Sequence, residues 1–182
     1  MASVAKFDRW EGTNGVVKGT VLQVQSTYID GYLAQAFTAN VRDVVAGIAC
    51  GITLSSATNK VLVYVHWFGE ASNDNPQDSM FGLRRDGVEI GQPVDTGLTY
   101  AGNIGIAIPT KSYGSGNADS TADFCTFQYL DTPGYTNPTY GLTYGNSASV
   151  TLKSGGVYNW NTSRTTNYER GTCSMILMEI QA

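Results

Sequence analysis

The stretch NKVLVYVHWFGEASNDNPQDSMFGLRRDGVEIG, residues 59–91, contains a long apolar run, a polar loop, a second apolar run and a tight turn. Residues 61–68 are mostly β-branched or aromatic and are flanked by turn residues, which favours a buried strand over a helix. With a period of two, one face of this strand carries Val61, Val63, Val65 and Trp67, and the other carries Leu62, Tyr64, His66 and Phe68. In an antiparallel sheet with one solvent-exposed face, each strand alternates apolar and polar residues. The sequence therefore predicts that something covers the second face.

Short apolar segments recur along the rest of the chain, with turn signals about every eight to twelve residues. No segment keeps the helical period for more than about two turns. This pattern predicts an all-β fold, an antiparallel β-sandwich of about ten strands. At 182 residues the chain is long enough for one domain with a substantial core. We expect that domain over residues 16–182, preceded by an arm or linker over residues 1–15.

Three local patterns predict individual elements of the sandwich. The dipeptide Asp86-Gly87 predicts a two-residue hairpin turn. In residues 98–110, large isoleucines alternate with glycine and alanine. This predicts a strand with large side chains on one face and small ones on the other. Two prolines precede residues 139–144, which predicts a strand at the edge of a sheet there.

A second strand with two apolar faces closes the chain. In CSMILMEIQA, residues 173–182, Met175 and Leu177 share one face, and Ile176, Met178 and Ile180 share the other. Either a loop or a second subunit has to cover the extra faces. Self-association is the simpler explanation, because most soluble oligomers are homo-oligomers with closed symmetry. The predicted subunit interface comprises Leu62, Tyr64, His66, Phe68, Ile176, Met178 and Ile180.

The charge content excludes several classes of partner. Only 14% of the residues are charged, the formal net charge is -4, and Lys and Arg form no cluster. A nucleic-acid groove or an anionic-membrane patch would need such a cluster. No apolar run approaches the roughly 20 residues of a membrane span, and residues 1–15 contain no continuous apolar core of a secretory signal. We therefore expect a soluble protein made in the cytoplasm.

Candidate catalytic and metal-binding residues are sparse. His66 is the single histidine, and it lies in an apolar strand without a recognisable nucleophile motif, which favours a packed, hydrogen-bonded side chain over a catalytic base. Near a symmetry axis, protonated copies of His66 would repel one another, which gives a hypothesis of acid-sensitive assembly. Asp74, Asn75 and Asp78 offer oxygen ligands for Ca²⁺, but the loop lacks the glycine and terminal glutamate of an EF-hand. We predict no enzymatic activity, no cofactor and no metal site.

Aromatic residues in the polar loops are candidates for sugar or protein contact, because Tyr and Trp supply rigid amphipathic surface. Tyr140 and Tyr144 also look exposed in the sequence, although packing of loop aromatics onto the sandwich is the alternative. The predicted glycan contacts are Tyr113, Tyr135, Tyr158, Trp160 and Tyr168. The three cysteines lie in apolar segments, which predicts buried free thiols at Cys50, Cys125 and Cys173.

Five phrases carry a resemblance to a known family: GTVLQV (19–24), ITLSSATNKVLVYV (52–65), FGLRRDGVEIG (81–91), FQYLDTP (127–133) with the following Tyr140, and SMILMEIQA (174–182). In this order, they resemble C1q/TNF-like jelly-roll modules, especially the variants in phage structural and tail-fibre proteins.

The resemblance implies a homotrimeric, ten-strand jelly roll on a virion surface, without enzymatic activity. Its implied partners are further copies of itself and other virion proteins of the capsid or tail. The sequence contains no collagen-like repeat or heptad shaft, which favours head decoration or a small tail or fibre knob over a long fibre. The competing hypothesis is a carbohydrate-binding module that recognises a host glycan through the loop aromatics.

Overall fold

The computed structural model describes residues 19–71, 78–93, 104–111, 122–157 and 169–182, so the predicted arm over residues 1–15 lies outside the described residues. Within them the chain forms β-strands and no helix. The strands are β1 (Val21–Ile29), β2 (Leu33–Phe37), β3 (Asp43–Gly51), β4 (Lys60–Ala71), β5 (Met80–Arg85), β6 (Val88–Ile90), β7 (Thr110–Lys111), β8 (Asp123–Asp131), β9 (Thr139–Gly145), β10 (Val150–Ser154) and β11 (Cys173–Ile180). Apart from the two-residue β7 there are ten, so the predicted all-β fold is confirmed.

The strands form two antiparallel sheets in a sandwich-like arrangement. Sheet I has the order β1-β11-β4-β10-β2, and β8 pairs with β4 and carries β7. In β4, residues 60–66 pair with β11 and residues 69–71 with β10, while β8 pairs with residues 61–69 along the opposite edge. Sheet II has the order β3-β9-β5-β6. Strand β4 is therefore hydrogen-bonded along both edges and lies in the centre of sheet I.

The core lies between the sheets and is built on the predicted inner face of β4. Val61, Val63 and Val65 are 0% exposed and Trp67 is 1% exposed, so this face assignment is confirmed. The indole of Trp67 packs against Phe81 of sheet II with ring centroids 4.8 Å apart. Its Nε1 donates a 2.9 Å hydrogen bond to Ser154 Oγ. Burial of this large side chain therefore leaves no unpaired indole N–H.

The hairpin between β5 and β6 has the predicted turn. Asp86 and Gly87 both have positive φ, 47° and 85°, as a type I′ turn requires. Arg85 pairs with Val88 across this two-residue loop. The Asp86 carboxylate also accepts a 3.0 Å hydrogen bond from the backbone N–H of Thr139, which fixes the hairpin to the start of β9.

The free thiols are partly as predicted. Cys125 and Cys173 are buried, whereas Cys50 is only half-buried. Burial raises the pKa of the Cys125 thiol to about 12, so this group is protonated and inert at neutral pH.

The predicted strand over residues 98–110 is wrong for its described part. Residues 104–109 form no strand apart from one bridge between Ala107 and Phe81. The segment lies antiparallel beside the start of β5, where β6 does not reach, and the N–H of Ile106 donates to Phe81 O at 2.7 Å. A Cβ on Gly105 would overlap Phe81 O. The small Gly105 therefore allows a close approach to β5 and does not mark a strand face.

The predicted edge position of residues 139–144 is also wrong. Strand β9 lies between β3 and β5, in the interior of sheet II. Pro133 and Pro138 precede the strand and leave its ladder intact. Tyr140 and Tyr144, which look exposed in the sequence, are 0% exposed in the core. Both point inward because they have the same parity as Leu142, another core residue.

Candidate functional site

The outer face of sheet I, the face turned away from sheet II, is the largest feature that the core does not explain. The strand registers arrange its side chains in rows that run across β1, β11, β4 and β8. The first row is Val24, Met178, Leu62 and Leu130; the second is Ser26, Ile176, Tyr64 and Gln128; the third is Tyr28, Ser174, His66 and Thr126; the fourth is Phe68 and Phe124. These residues, with the flanking Leu22 and Ile180, are called the outer face below.

The structure places all seven predicted interface residues on this face. Tyr64 is 37% exposed, and the other six are half-buried within the single chain: Leu62, His66, Phe68, Ile176, Met178 and Ile180. Contact with a second copy stays a prediction for all seven. The sheet brings them together because β11 pairs directly with β4, so that Ile176 stands beside Tyr64 and Met178 beside Leu62.

The sequence prediction missed the two outer strands of this face. Strand β1 adds Val24, 52% exposed, and β8 adds Phe124 and Leu130, 43% and 50% exposed. A signal was present in β8, where both faces include large apolar residues. For β1 the sequence carries no comparable signal, because its residues alternate only weakly.

The apolar area left open reaches the size of the largest patch on a typical single chain. Tyr28, Tyr64 and Phe124 alone expose about 300 Å², at about 200 Å² for a full aromatic side chain. The largest apolar patch on a typical monomer is roughly 300–600 Å² and is commonly functional. The aliphatic residues of the outer face add to the aromatic area. The chain itself covers part of the fourth row, where Gly171 lies against the Phe68 ring.

Formal charge is absent from the rows of the outer face. None of the row residues is Asp, Glu, Lys or Arg. Lys60, at the start of β4, lies beside Ile180 at the margin of the outer face. His66 lies in the third row, where its Nδ1 is 3.1 Å from Thr126 Oγ1. The predicted hydrogen-bonded histidine is thus present, on a face that offers it hydroxyl and aromatic neighbours.

A buried carboxylate fixes the C-terminal end of β11. Glu179 is 1% exposed, on the core side of the strand. Its Oε2 accepts a hydrogen bond from Gln23 Nε2 at 2.7 Å, and its Oε1 accepts bonds from the N–H and Oγ of Ser55, both at 2.7 Å, and from Asn59 Nδ2 at 2.6 Å. Burial alone would raise the pKa of Glu179, but these hydrogen bonds together lower it to about 2. The carboxylate therefore joins β11 to β1 and to the loop before β4.

A second buried carboxylate joins the two sheets at the same end. Asp131 of β8 accepts hydrogen bonds from Arg85 Nη1 at 2.9 and 2.8 Å and from Tyr140 Oη at 2.7 Å. Burial, and then the bond to Asp131, raises the pKa of Tyr140. Gln23, Glu179, Val61 and Asp131 follow one another in a single inner row of sheet I. Asp131 therefore has a structural role, and this arrangement supplies no pair of free carboxyls for catalysis.

Of the predicted glycan contacts, only Tyr135 is described. It is 39% exposed, its hydroxyl donates to Asp86 Oδ2, and the Arg85 guanidinium lies 5.7 Å from its ring centroid. Neighbouring side chains therefore already occupy both the hydroxyl and one ring face. The other four, Tyr113, Tyr158, Trp160 and Tyr168, lie outside the described residues.

A polar cleft that the sequence did not reveal lies beside β1 and the end of β3. Its volume is about 390 Å³, and its lining is Gln23, Gln25, Gly51, Ile52, Thr53, Asn137, Pro138 and Thr139. Amides and hydroxyls dominate this lining, which suits a neutral polar ligand. The glutamines are already ordered, since Gln23 Nε2 donates to Thr53 O at 2.6 Å.

Neither a metal-binding cluster nor a membrane-spanning helix occurs in the described part of the chain. No group of three or more His, Cys, Asp or Glu residues there is placed to hold a metal ion. Asp78 accepts a 2.8 Å hydrogen bond from Ser147 Oγ, whereas Asp74 and Asn75 lie outside the described residues. None of the described segments contains a helix long and apolar enough to cross a membrane.

Comparison of the sequence with protein-family models gave no match, and comparison with curated proteins gave none either. The function therefore has to be inferred from the chain itself.

The Glu179 cluster predicts a specific response to acid. Because the folded pKa is about 2 and the ordinary value is 4.5, Glu179 stabilises the fold fully above about pH 4.5 and loses this contribution as the pH falls towards 2. Glu179→Gln should lower the free energy of unfolding at pH 7 by about 2 kcal/mol, because one donor then faces an amide NH₂. It should also flatten the decline of stability between pH 4.5 and 2, as measured by urea denaturation.

The exposed Asp43, at the start of β3, provides a matched control. Asp43→Asn should change the unfolding free energy by less than about 0.5 kcal/mol, since its ion pair with Arg84 is solvated. An equally steep acid decline in wild type and Glu179→Gln would show that the cluster does not act in this way.

Proposed function

We propose that this chain is a non-enzymatic structural protein of a phage particle, made in the host cytoplasm. It forms a homotrimeric jelly roll on the virion surface, as head decoration (cement) or as a small tail or fibre knob. The resemblance of the five sequence phrases to C1q/TNF-like phage modules supports both the virion assignment and a trimer as the oligomeric state. The open apolar outer face supports self-association, and it is the observation that carries the proposal.

The path of the chain supports the jelly-roll topology. Sheet I contains β1, β11, β4 and β8, extended by β10, β2 and β7, and sheet II contains β3, β9, β5 and β6. The chain passes from sheet II to sheet I between β3 and β4, returns between β4 and β5, and exchanges sheets again before and after β8. Such repeated exchange between the two sheets is expected of Greek keys in a jelly roll.

A second copy of the chain is the occupant that best fits the outer face. A charged partner would find no complementary charge in its rows. Aromatic residues and methionine are enriched in the centres of protein interfaces, and obligate homo-oligomers use the most apolar interfaces. Repetition of one such face around a closed axis covers every copy equally.

Substitution on the two faces of β4 tests this arrangement. Tyr64→Asp places a charge on the outer face and should yield folded monomers, whereas Val63→Asp buries a charge in the core and should prevent folding. Val88→Asp is the matched control, because Val88 is 65% exposed on sheet II, away from the outer face, and this variant should still assemble. Light scattering measures the mass and far-UV circular dichroism the fold. Assembled Tyr64→Asp, or unfolding of both β4 variants, would contradict the face assignment.

Location on the particle tests the virion assignment. Cryo-electron microscopy of purified particles should show density for a three-fold assembly of this chain on the capsid, tail or fibre. Particles that lack the protein altogether would refute the assignment.

The polar cleft favours a carbohydrate-binding module as the second candidate. In that case a glycan array should show binding that is lost in Asn137→Ala, in the cleft, or in Trp160→Ala with Tyr158→Ala, among the loop aromatics. Tyr135→Phe is a control that removes only the hydroxyl already bonded to Asp86. A silent array together with tight binding to purified capsids would exclude this candidate.

A further inference from the structure

We propose that His66 makes self-association through the outer face acid-sensitive, so that protonation of its imidazole separates the copies. This inference rests on the proposed function, since it concerns the same face. It identifies a regulatory group within the face, which the apolar residues around it cannot provide.

The position of His66 within the outer face provides the geometry. Ser174 and Thr126 flank it in its row, and Tyr64 and Phe68 flank it along β4 on the same face. A partner that covers Tyr64 and Ile176, which is the neighbour of Tyr64 on β11, would therefore also cover the imidazole.

The hydrogen bond to Thr126 does not determine the protonation state. Nδ1 and Thr126 Oγ1 are 3.1 Å apart, and a hydroxyl can donate to a neutral imidazole or accept from a protonated one. The bond is therefore possible with either form of the ring. What changes on protonation is the charge, and the surroundings of the ring decide whether that charge is tolerated.

The four rows of the outer face offer no carboxylate to the protonated ring. The flanking segments carry Asp30, just after β1, and Glu169 and Arg170, just before Gly171. Strand β1 presents Tyr28, β11 presents only Ser, Ile and Met side chains, and β8 presents Thr, Gln, Phe and Leu. On β4 itself, Lys60 is a further cation at the first residue of the strand. Glu70, beyond Phe68, is buried and has its own partner. Asp123 of β8 is buried as well.

The protonated ring is therefore tolerated in the free chain, where His66 is half-buried and reached by water, and is disfavoured when a second copy removes that water. A trimer brings three such rings to one assembly, and like charges add to the penalty. Since the associated state binds protons less well, the dissociation constant must rise as the pH falls. Histidine is the side chain type that ordinarily gains its charge between pH 7 and 5.

Glu179 does not contribute to a change in assembly between pH 7.5 and 5. Its pKa of about 2 keeps it ionised at pH 5, so its hydrogen bonds still hold the C-terminal end of β11 there. An effect between pH 7.5 and 5 that depends on residue 66 and leaves the circular dichroism unchanged is therefore an effect on the interface and not on the fold.

Sedimentation equilibrium of the full chain at pH 7.5, 6.5 and 5.0 tests the inference. The dissociation constant of wild type should rise at least tenfold from pH 7.5 to 5.0, whereas His66→Gln, which keeps a neutral polar group like the neighbouring Gln128, should change less than threefold. His66→Thr, a β-branched alternative suited to a strand, should behave as His66→Gln does, and circular dichroism confirms that the variants are folded.

The outcomes separate this inference from the proposed function. Wild type that assembles at pH 7.5 and stays assembled at pH 5.0 overturns the acid switch and leaves self-association standing. An equal response of wild type and both folded variants also overturns it. Wild type that is monomeric at every pH and concentration refutes self-association itself.

Discussion

The structure depends on β4, a strand that is paired along both edges and apolar on both faces. Its inner side chains from Val61 to Trp67 fill the centre of the core, and its ladder joins β11 and β10 on one edge to β8 on the other. Hydrogen bonding and core packing together leave this strand no freedom to rotate, because a shift of one residue would exchange its two faces. The outer face is therefore presented in a fixed register. Its remaining exposure is what an interaction surface requires.

Buried polar groups hold one end of the same sheet in place, the end at which β4 begins and β8 and β11 finish. Glu179 and Asp131 stand in one inner row on either side of Val61, and each carboxylate binds donors from other strands or loops. Such clusters are costly to bury but strongly orienting once every acceptor is satisfied. By fixing β11 to β1 and β8 to sheet II, they hold four strands of the outer face as one rigid surface. A rigid, apolar surface of this kind suits packing against a second apolar surface.

Local sequence patterns predicted the features that one segment determines by itself. The two faces of β4 follow from its period of two, and the β5–β6 hairpin follows from the positive φ values that Asp86 and Gly87 adopt readily. Features that depend on distant neighbours were missed or wrong. Position within a sheet is one, since β9 lies inside sheet II although prolines precede it. The donors around Glu179 are another, because Gln23 and Ser55 are more than 100 residues away in sequence. The contribution of β1 to the outer face likewise appears only when its register with β11 is known.

Oxidation footprinting of the two methionines at the centre of β11 tests self-association through the outer face most directly. Met175 is 0% exposed in the core, whereas Met178 is half-buried on the outer face, so one strand supplies both the probe and its control. Hydroxyl radicals should oxidise Met178 several-fold more slowly at concentrations that favour assembly than after dilution, while Met175 stays protected at both. A fast rate for Met178 that is equal at both concentrations would mean that the face is open and would contradict self-association. A slow rate in a sample that light scattering shows to be monomeric would mean that the chain covers its own face, and would contradict it as well.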